Sequence, residues 1–291
     1  MMVLKFEMRT SHINLAHAFV LSLVAGVCLP CAGTHAEIRA QESQAEQGLK
    51  LAVSLEAERG LEAYEMGDFE NAIKFLKRAT QKHKGDPTLW HFLGLAYARQ
   101  GNEGEAHKSL VSAIRLRLLR LTPDAVGDSE KVRKEFVTAE REAVRRRYAA
   151  RYKEALASVE SYLQLNPPDA DFWREQANSL SFYAQHSESP EASKTLFRFG
   201  DEGIIKAVIN YKPEPLYTEK ARKNQVTGTV VLRCVLDADR TVKHVLALRL
   251  LPDGLTESAI AVTRGIKFTP ATKDGRPVSQ ILMMEYNFNF L

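Results

Sequence analysis

"TVVLRCVLDADRTVKHVLALRL", residues 229–250, is where the chain changes from helical to alternating periodicity. From Thr229 to Leu236 the even positions are Val230, Leu232, Cys234 and Leu236. Successive strand side chains point to opposite faces, so these four make one apolar face. Asp237-Ala238-Asp239-Arg240 reads as a turn. A second strand follows with Val242, Leu246, Leu248 and Leu250 on the even side, His244 among them. A lone histidine without neighbouring carboxylates or cysteines reads as a structural residue, not a metal ligand.

Pro252-Asp253-Gly254 ends the second strand, and Leu255, Ala259, Val262 and Ile266 then recur at the spacing of one helical face. The last segment alternates again, Leu282, Met284, Tyr286, Phe288 and Phe290 opposing Met283, Glu285, Asn287 and Asn289. A short helix, "LYTEKARKN", precedes the first strand. The order helix, strand, strand, helix, strand predicts a three-stranded antiparallel sheet with two helices on one face. Such a sheet does not close, so it keeps an edge of unpaired N–H and C=O groups.

Upstream the signal is a repeat. Gly60 and Gly94 are 34 residues apart, and so are Gly67 and Gly101, Ala72 and Ala106, Leu76 and Leu110, Ala79 and Ala113. A helical hairpin used twice accounts for this: a small residue for close helix approach, a glycine at the turn, and Ala and Leu for packing. "WHFLGLAYARQGNEGEAHKSLVSAI" is the fuller copy, and its Trp90, Leu93, Gly94, Tyr97, Gly101, Ala106 and Ala113 resemble the tetratricopeptide (TPR) signature. "YAARYKEALASVESYLQLNPP" reads as a third copy after an insertion near 117–130. "DFWREQANSL" with "SPEASKTLFRF" reads as a fourth hairpin. In "REAVRRRYAARYK" the arginines read as a solvated helix face, with Ala143, Val144, Tyr148 and Tyr152 turned inward; an acidic-ligand patch is the other reading. Stacked hairpins form a solenoid with a concave face. By repeat position its groove candidates are Leu61, Tyr64, His91, Leu95 and Arg99.

The expected architecture is therefore multidomain, α and α+β. Residues 41–209 form the helical repeat domain and 210–291 the small sheet domain. Residues 1–36 are a signal peptide or an N-terminal membrane anchor. Lys5 and Arg9 precede the apolar run "INLAHAFVLSLVAGVCLPCA", which ends in small residues up to Ala36. That pattern is a secretory signal cleaved after Ala36. An uncleaved anchor competes, because about 20 residues at about 1.5 Å each just span a bilayer. Cleavage leaves Cys234 as the one cysteine of the mature chain, so no intramolecular disulfide would be available to it. A formal net charge of +4 over 291 residues is too mild to argue for nucleic acid.

Residues from Lys212 onward resemble the C-terminal domain of the TonB family. The resemblance rests on Tyr217 with Ala221, Gly228-Thr229-Val230-Val231, the Asp237–Val242 turn, Gly254-Leu255, and Lys267-Phe268-Thr269-Pro270-Ala271 with Gly275 and Pro277. Thr218 stands where that family usually has proline, Arg240 where a turn glycine is common, and Ile266 where tryptophan is common. The resemblance implies a periplasmic module that takes a peptide from an outer-membrane transporter or other envelope protein as an added strand. The edge it implies is the last strand, with Ile281, Met283, Glu285, Asn287 and Asn289. Energy transduction would add inner-membrane proton-driven motor proteins as partners if the N-terminal segment stays anchored. A periplasmic adaptor without energy coupling is the alternative. No phosphate-cradling loop, metal-ligand histidine pair or G-x-S-x-G elbow is present, so neither enzyme, cofactor nor metal is expected.

Overall fold

A computed structural model of the chain describes residues 55–122, 138–188, 196–198, 201 and 203–289. The leader or anchor expected at 1–36 lies outside these residues, as does 123–137.

Two helical hairpins come first: α1 (Leu55–Glu65) with α2 (Phe69–Lys82), and α3 (Pro87–Arg99) with α4 (Glu103–Leu119). The starts of α2, α3 and α4 are capped by side chains that satisfy otherwise orphaned N–H groups. Asp68 accepts from the Asn71 N–H at 3.1 Å, Asp86 from Thr88 at 2.8 Å with Pro87 in the first turn, and Asn102 from Glu105 at 3.2 Å. The turn glycines Gly67 and Gly101 adopt φ of 77° and 81°, a region that favours glycine. A β-carbon at Gly60 would lie 2.7 Å from Leu76 Cγ, and one at Gly94 would lie 2.7 Å from Leu110 Cγ. The 34-residue spacing is thus one packing contact made twice.

Helix α5 (Thr138–Leu163) packs against α6 (Ala170–Glu188). Tyr148 and Tyr152 of the arginine-rich stretch are buried, as the inward-face reading requires, while Arg146 and Arg147 are exposed. Asp169 joins the pair, accepting from Tyr162 OH at 3.0 Å and Trp173 Nε1 at 2.9 Å. Burial first, then this carboxylate, push the Tyr162 phenol well above its ordinary pKa.

The expected sheet is present with additions. Helix α7 (Glu219–Lys223), strands β4 (Gly228–Leu236) and β5 (Val242–Arg249), helix α8 (Leu255–Arg264) and strand β8 (Arg276–Phe288) follow the predicted order. Strand β4 lies between β5 and β8, antiparallel to both. The extra strands are short: β1 (Leu196–Arg198), β2 (Ile204–Ile205), β3 (Val208–Tyr211), β6 (Lys267–Thr269) and β7 (Ala271–Lys273). An Asp274-Gly275 turn, both residues at positive φ, folds β7 back on β8. Strand β1 runs parallel to β8, β2 pairs with β7, and β3 pairs with β6 in a separate two-stranded sheet.

Two expectations are corrected here. Leu196–Arg198, Ile204–Ile205 and the start of β3 at Val208, grouped above with the repeats, pair with sheet strands, and Leu196–Arg198 is a strand where a fourth hairpin needs a helix. Nor are helices confined to one sheet face. Val231, Val235, Leu246 and Leu248 point into a core shared with Leu118, Tyr152, Leu180 and Tyr183 of the helices. The opposite face, Val230, Leu232, Cys234 and Leu236, packs with Leu255, Ala259 and Ile260 of α8. Repeats and sheet therefore form one compact unit, and the change of periodicity near residue 210 is not a break in packing. No helix among the described residues is long and apolar enough to cross a membrane.

Polar groups fasten this seam. Gln176 Oε1 accepts from the Ala247 N–H at 2.8 Å, and Tyr183 OH donates to the His244 carbonyl at 2.8 Å. The His244 ring stacks on Phe182 with centroids 3.5 Å apart. Arg233, the one charged residue of β4, donates to Tyr152 OH and, at 3.0 Å, to the Leu121 carbonyl. Desolvation works against its charge, but the phenols of Tyr152, Tyr183 and Tyr148 outweigh it and hold the guanidinium above its ordinary pKa.

Candidate functional site

Strand β8 is 13 residues long and alternates strictly at its C-terminal end, where Met284, Tyr286 and Phe288 are buried against α8. Tyr286 OH hydrogen-bonds Thr263 Oγ1 at 2.9 Å, which locks the strand to that helix, and burial raises the phenol pKa. Strand β4 occupies one side of β8 from Gln280 to Phe288. On the other side β7 pairs with Arg276–Val278 and β1 with Ser279–Ile281. From Leu282 to Phe288 no strand among the described residues pairs with that side.

The five residues expected along this edge divide. Ile281 is taken by β1, and both Ile281 and Met283 pack against the helical core. The sequence reading put Met283 on an exposed face; docking of the helices is what covers it. Glu285, Asn287 and Asn289 are exposed, Asn289 lying just past the strand end. Asn287 Oδ1 is engaged across the sheet by Thr229 Oγ1 at 2.6 Å. Lys212 Nζ donates to the Glu285 carbonyl at 3.0 Å. In an antiparallel strand a residue's N–H and C=O point to the same side. The Glu285 N–H therefore also faces the free edge.

The repeat candidates do not form one open groove. Tyr64 is held edge-on between Phe69 and Phe92, and Leu61 is half-buried. Leu95 packs on the main core. His91 Nδ1 lies 3.2 Å from Ser158 Oγ of α5, which in turn accepts from Arg117 Nη1. Burial, then the Arg117 charge, lower the His91 pKa to about 4. Arg99 alone of the five is fully exposed. Helix α5 thus covers part of the face that repeat position marked for ligands.

Sequence reasoning missed Arg117 and Arg233, which sit where helices meet helices and helices meet sheet. The signal was present. Arg117 shares the inward stripe of Leu110, Ala113, Ile114, Leu118 and Leu121, and Arg233 interrupts a run apolar on both faces. A charge on an apolar face implies a partner supplied from elsewhere in the fold.

A helical repeat array packed on a sheet with an open edge defines a protein-interaction class. Residues 57–81 match the tetratricopeptide repeat family, and residues 213–290 match the family described as the Gram-negative bacterial TonB protein C-terminal. The matched segments set a tetratricopeptide-type repeat ahead of a segment similar to the TonB C-terminal domain, and both families are protein-interaction modules. No curated protein compared with the chain matches it.

Proposed function

We propose that this is an exported periplasmic protein that captures an extended segment of an outer-membrane transporter or other envelope partner along the free edge of β8. The observation that carries this reading is the seven-residue run Leu282–Phe288, paired with β4 on one side and with no strand among the described residues on the other. Added-strand binding draws affinity from backbone hydrogen bonds and selectivity from alternate side chains. The exposed surface of the repeats supplies a second contact.

Glu285→Pro isolates the mechanism. It removes the N–H that faces outward and leaves the β4–β8 ladder and the buried even face intact. The variant should lose capture of a transporter-derived peptide while melting with the same far-UV signal as the parent. Undiminished capture would remove the sheet-edge mechanism.

Energy transduction is the physiological role proposed for this capture if residues 1–36 stay as an anchor, and inner-membrane proton-driven motor proteins are then the second partners. Packing of the repeats directly on the sheet, in place of an extended span, favours the alternative of an adaptor without energy coupling. N-terminal sequencing of fractionated envelopes separates the two. A start at Glu37 in the soluble periplasmic fraction sinks the transducer; an intact Met1 in the inner membrane supports it.

A further inference from the structure

Strand β5 stands at the end of the sheet, and among the described residues it pairs with β4 alone. Its outer side is nevertheless not bare. The Ala247 N–H donates to Gln176 Oε1 at 2.8 Å, Ser179 Oγ donates to the Val245 carbonyl at 3.4 Å, and Tyr183 OH donates to the His244 carbonyl at 2.8 Å. The three side chains belong to α6, at the i, i+3, i+7 spacing of one helical face. All three are buried. The β4–β5 register is irregular between Arg233 and Val235, and His244, opposite that point at φ 49°, turns its carbonyl to the helix.

A match in length lets a helix do this. From Gln176 to Tyr183 α6 rises by about 10 Å, at about 1.5 Å per residue. From Ala247 back to His244 the strand covers about 10 Å, at about 3.3 Å per residue. Three helix side chains therefore meet three outward backbone groups of a strand that runs the opposite way. The match is incomplete at one point. Gln176 is fully buried and its Nε2 is without a hydrogen-bond partner, so its carboxamide makes half the contact that a peptide unit of an added strand would make. The helix is also held from its flanks. Phe182 stacks on the His244 ring with centroids 3.5 Å apart, and Glu175 accepts from Arg264 of α8 at 2.7 Å.

We infer that α6 is a surrogate strand that closes the β5 edge against a strand of a second copy of this chain. An unpaired sheet edge is a template for another chain. With β5 bare, the sheet would have two open sides, β5 and the Leu282–Phe288 run of β8. Copies joined β5 to β8 would make a head-to-tail contact that need not close, and so a growing filament. The side chains of α6 leave the sheet one open side in place of two. Closure of β5 stands on its own bonds and holds whether or not β8 takes a partner strand.

The test uses the chain from Glu37 onward, the exported form proposed above, and reads single amides by hydrogen exchange. In the parent the Ala247 amide should be protected like those of β4. Gln176→Leu keeps the bulk and removes the acceptor, so exchange at Ala247 should quicken by about tenfold while the β4 amides keep their rates. Unchanged protection at Ala247, or a uniform rise across β4 and β5, overturns the surrogate strand. Gln176→Leu, Ser179→Ala and Tyr183→Phe together remove all three bonds and keep the apolar packing. Light scattering at rising concentration should give this triple variant a mass above the parent's. Adding Ala247→Pro should restore the parent's mass, because proline removes the outward N–H and spares the β4 ladder. A triple variant with the parent's mass, or association that survives Ala247→Pro, overturns the closure. Far-UV melting identifies a variant that fails to fold, and the Gln176→Leu exchange then decides alone.

Discussion

At the scale of single residues, two positions are held in states their chemistry resists. Arg240 sits at φ 69° in the β4–β5 turn, where the TonB resemblance expects glycine. A β-carbon there is strained, so Arg240→Gly should raise stability by about 0.5–1 kcal/mol in denaturant titration. A neutral or destabilising result would mean the arginine makes a compensating contact. His91 is buried beside Arg117, with its pKa lowered to about 4 from an ordinary value near 6.5. Above about pH 6.5 it is neutral folded or unfolded and imposes no penalty. As pH falls from about 6.5 to about 4 the unfolded chain takes up a proton that the folded chain refuses. Stability is lost over that window, by on the order of 3 kcal/mol. Below about 4 the loss levels off. His91→Gln should flatten this part of the melting-temperature profile relative to the parent, and parallel profiles would show that His91 is not the titrating group.

Elements are fixed by a few contacts that recur. Gly94 meets Leu110 as Gly60 meets Leu76, with the leucine side chain filling the space a β-carbon would take. Leu110 is itself fully buried, so it has little room to move. Gly94→Ala should cost about 1–3 kcal/mol through overpacking, offset in part by the better helix propensity of alanine. A melting temperature at or above the parent's would show that the α3–α4 contact is looser than its geometry. Strand β8 illustrates how an element acquires two roles. Its even side chains pack on α8, while its backbone, from Leu282 on, stays available on one side.

For the molecule as a whole, the seam between helices and sheet sets both shape and stability. Val231, Val235, Leu246 and Leu248 are buried by the helices, each contributing about 1.5–3 kcal/mol relative to exposure. A fragment spanning 204–291 leaves that face in water. It should bind a hydrophobic dye and elute as associated species, whereas the chain from Glu37 onward should do neither. A monomeric, dye-silent fragment melting like the parent would mean the seam contributes little. The same seam holds the repeats and the free edge of β8 in one packed unit.

The parts legible in the sequence are those governed by local periodicity and turn chemistry. The alternation at 229–250, the helical face from Leu255 to Ile266 and the Gly60/Gly94 repeat all depend on local spacing and turn chemistry. The last strand was legible for the same reason; its edge was implied only by the family resemblance. Tertiary structure alone decided which faces met. Thr229–Leu236 is apolar on its odd side too, at Val231 and Val235, but alternation by itself does not say whether a helix or water lies there. Docking of the helices settled it, partly burying Met283, filling part of the repeat groove and leaving Arg117 and Arg233 to bond to Ser158, Tyr152 and backbone carbonyls. The position of Ala207–Lys212 beside β8 was hidden for a related reason: its ties to Gln280 and Glu285 are single side-chain bonds across 73 residues, which leave no periodic trace.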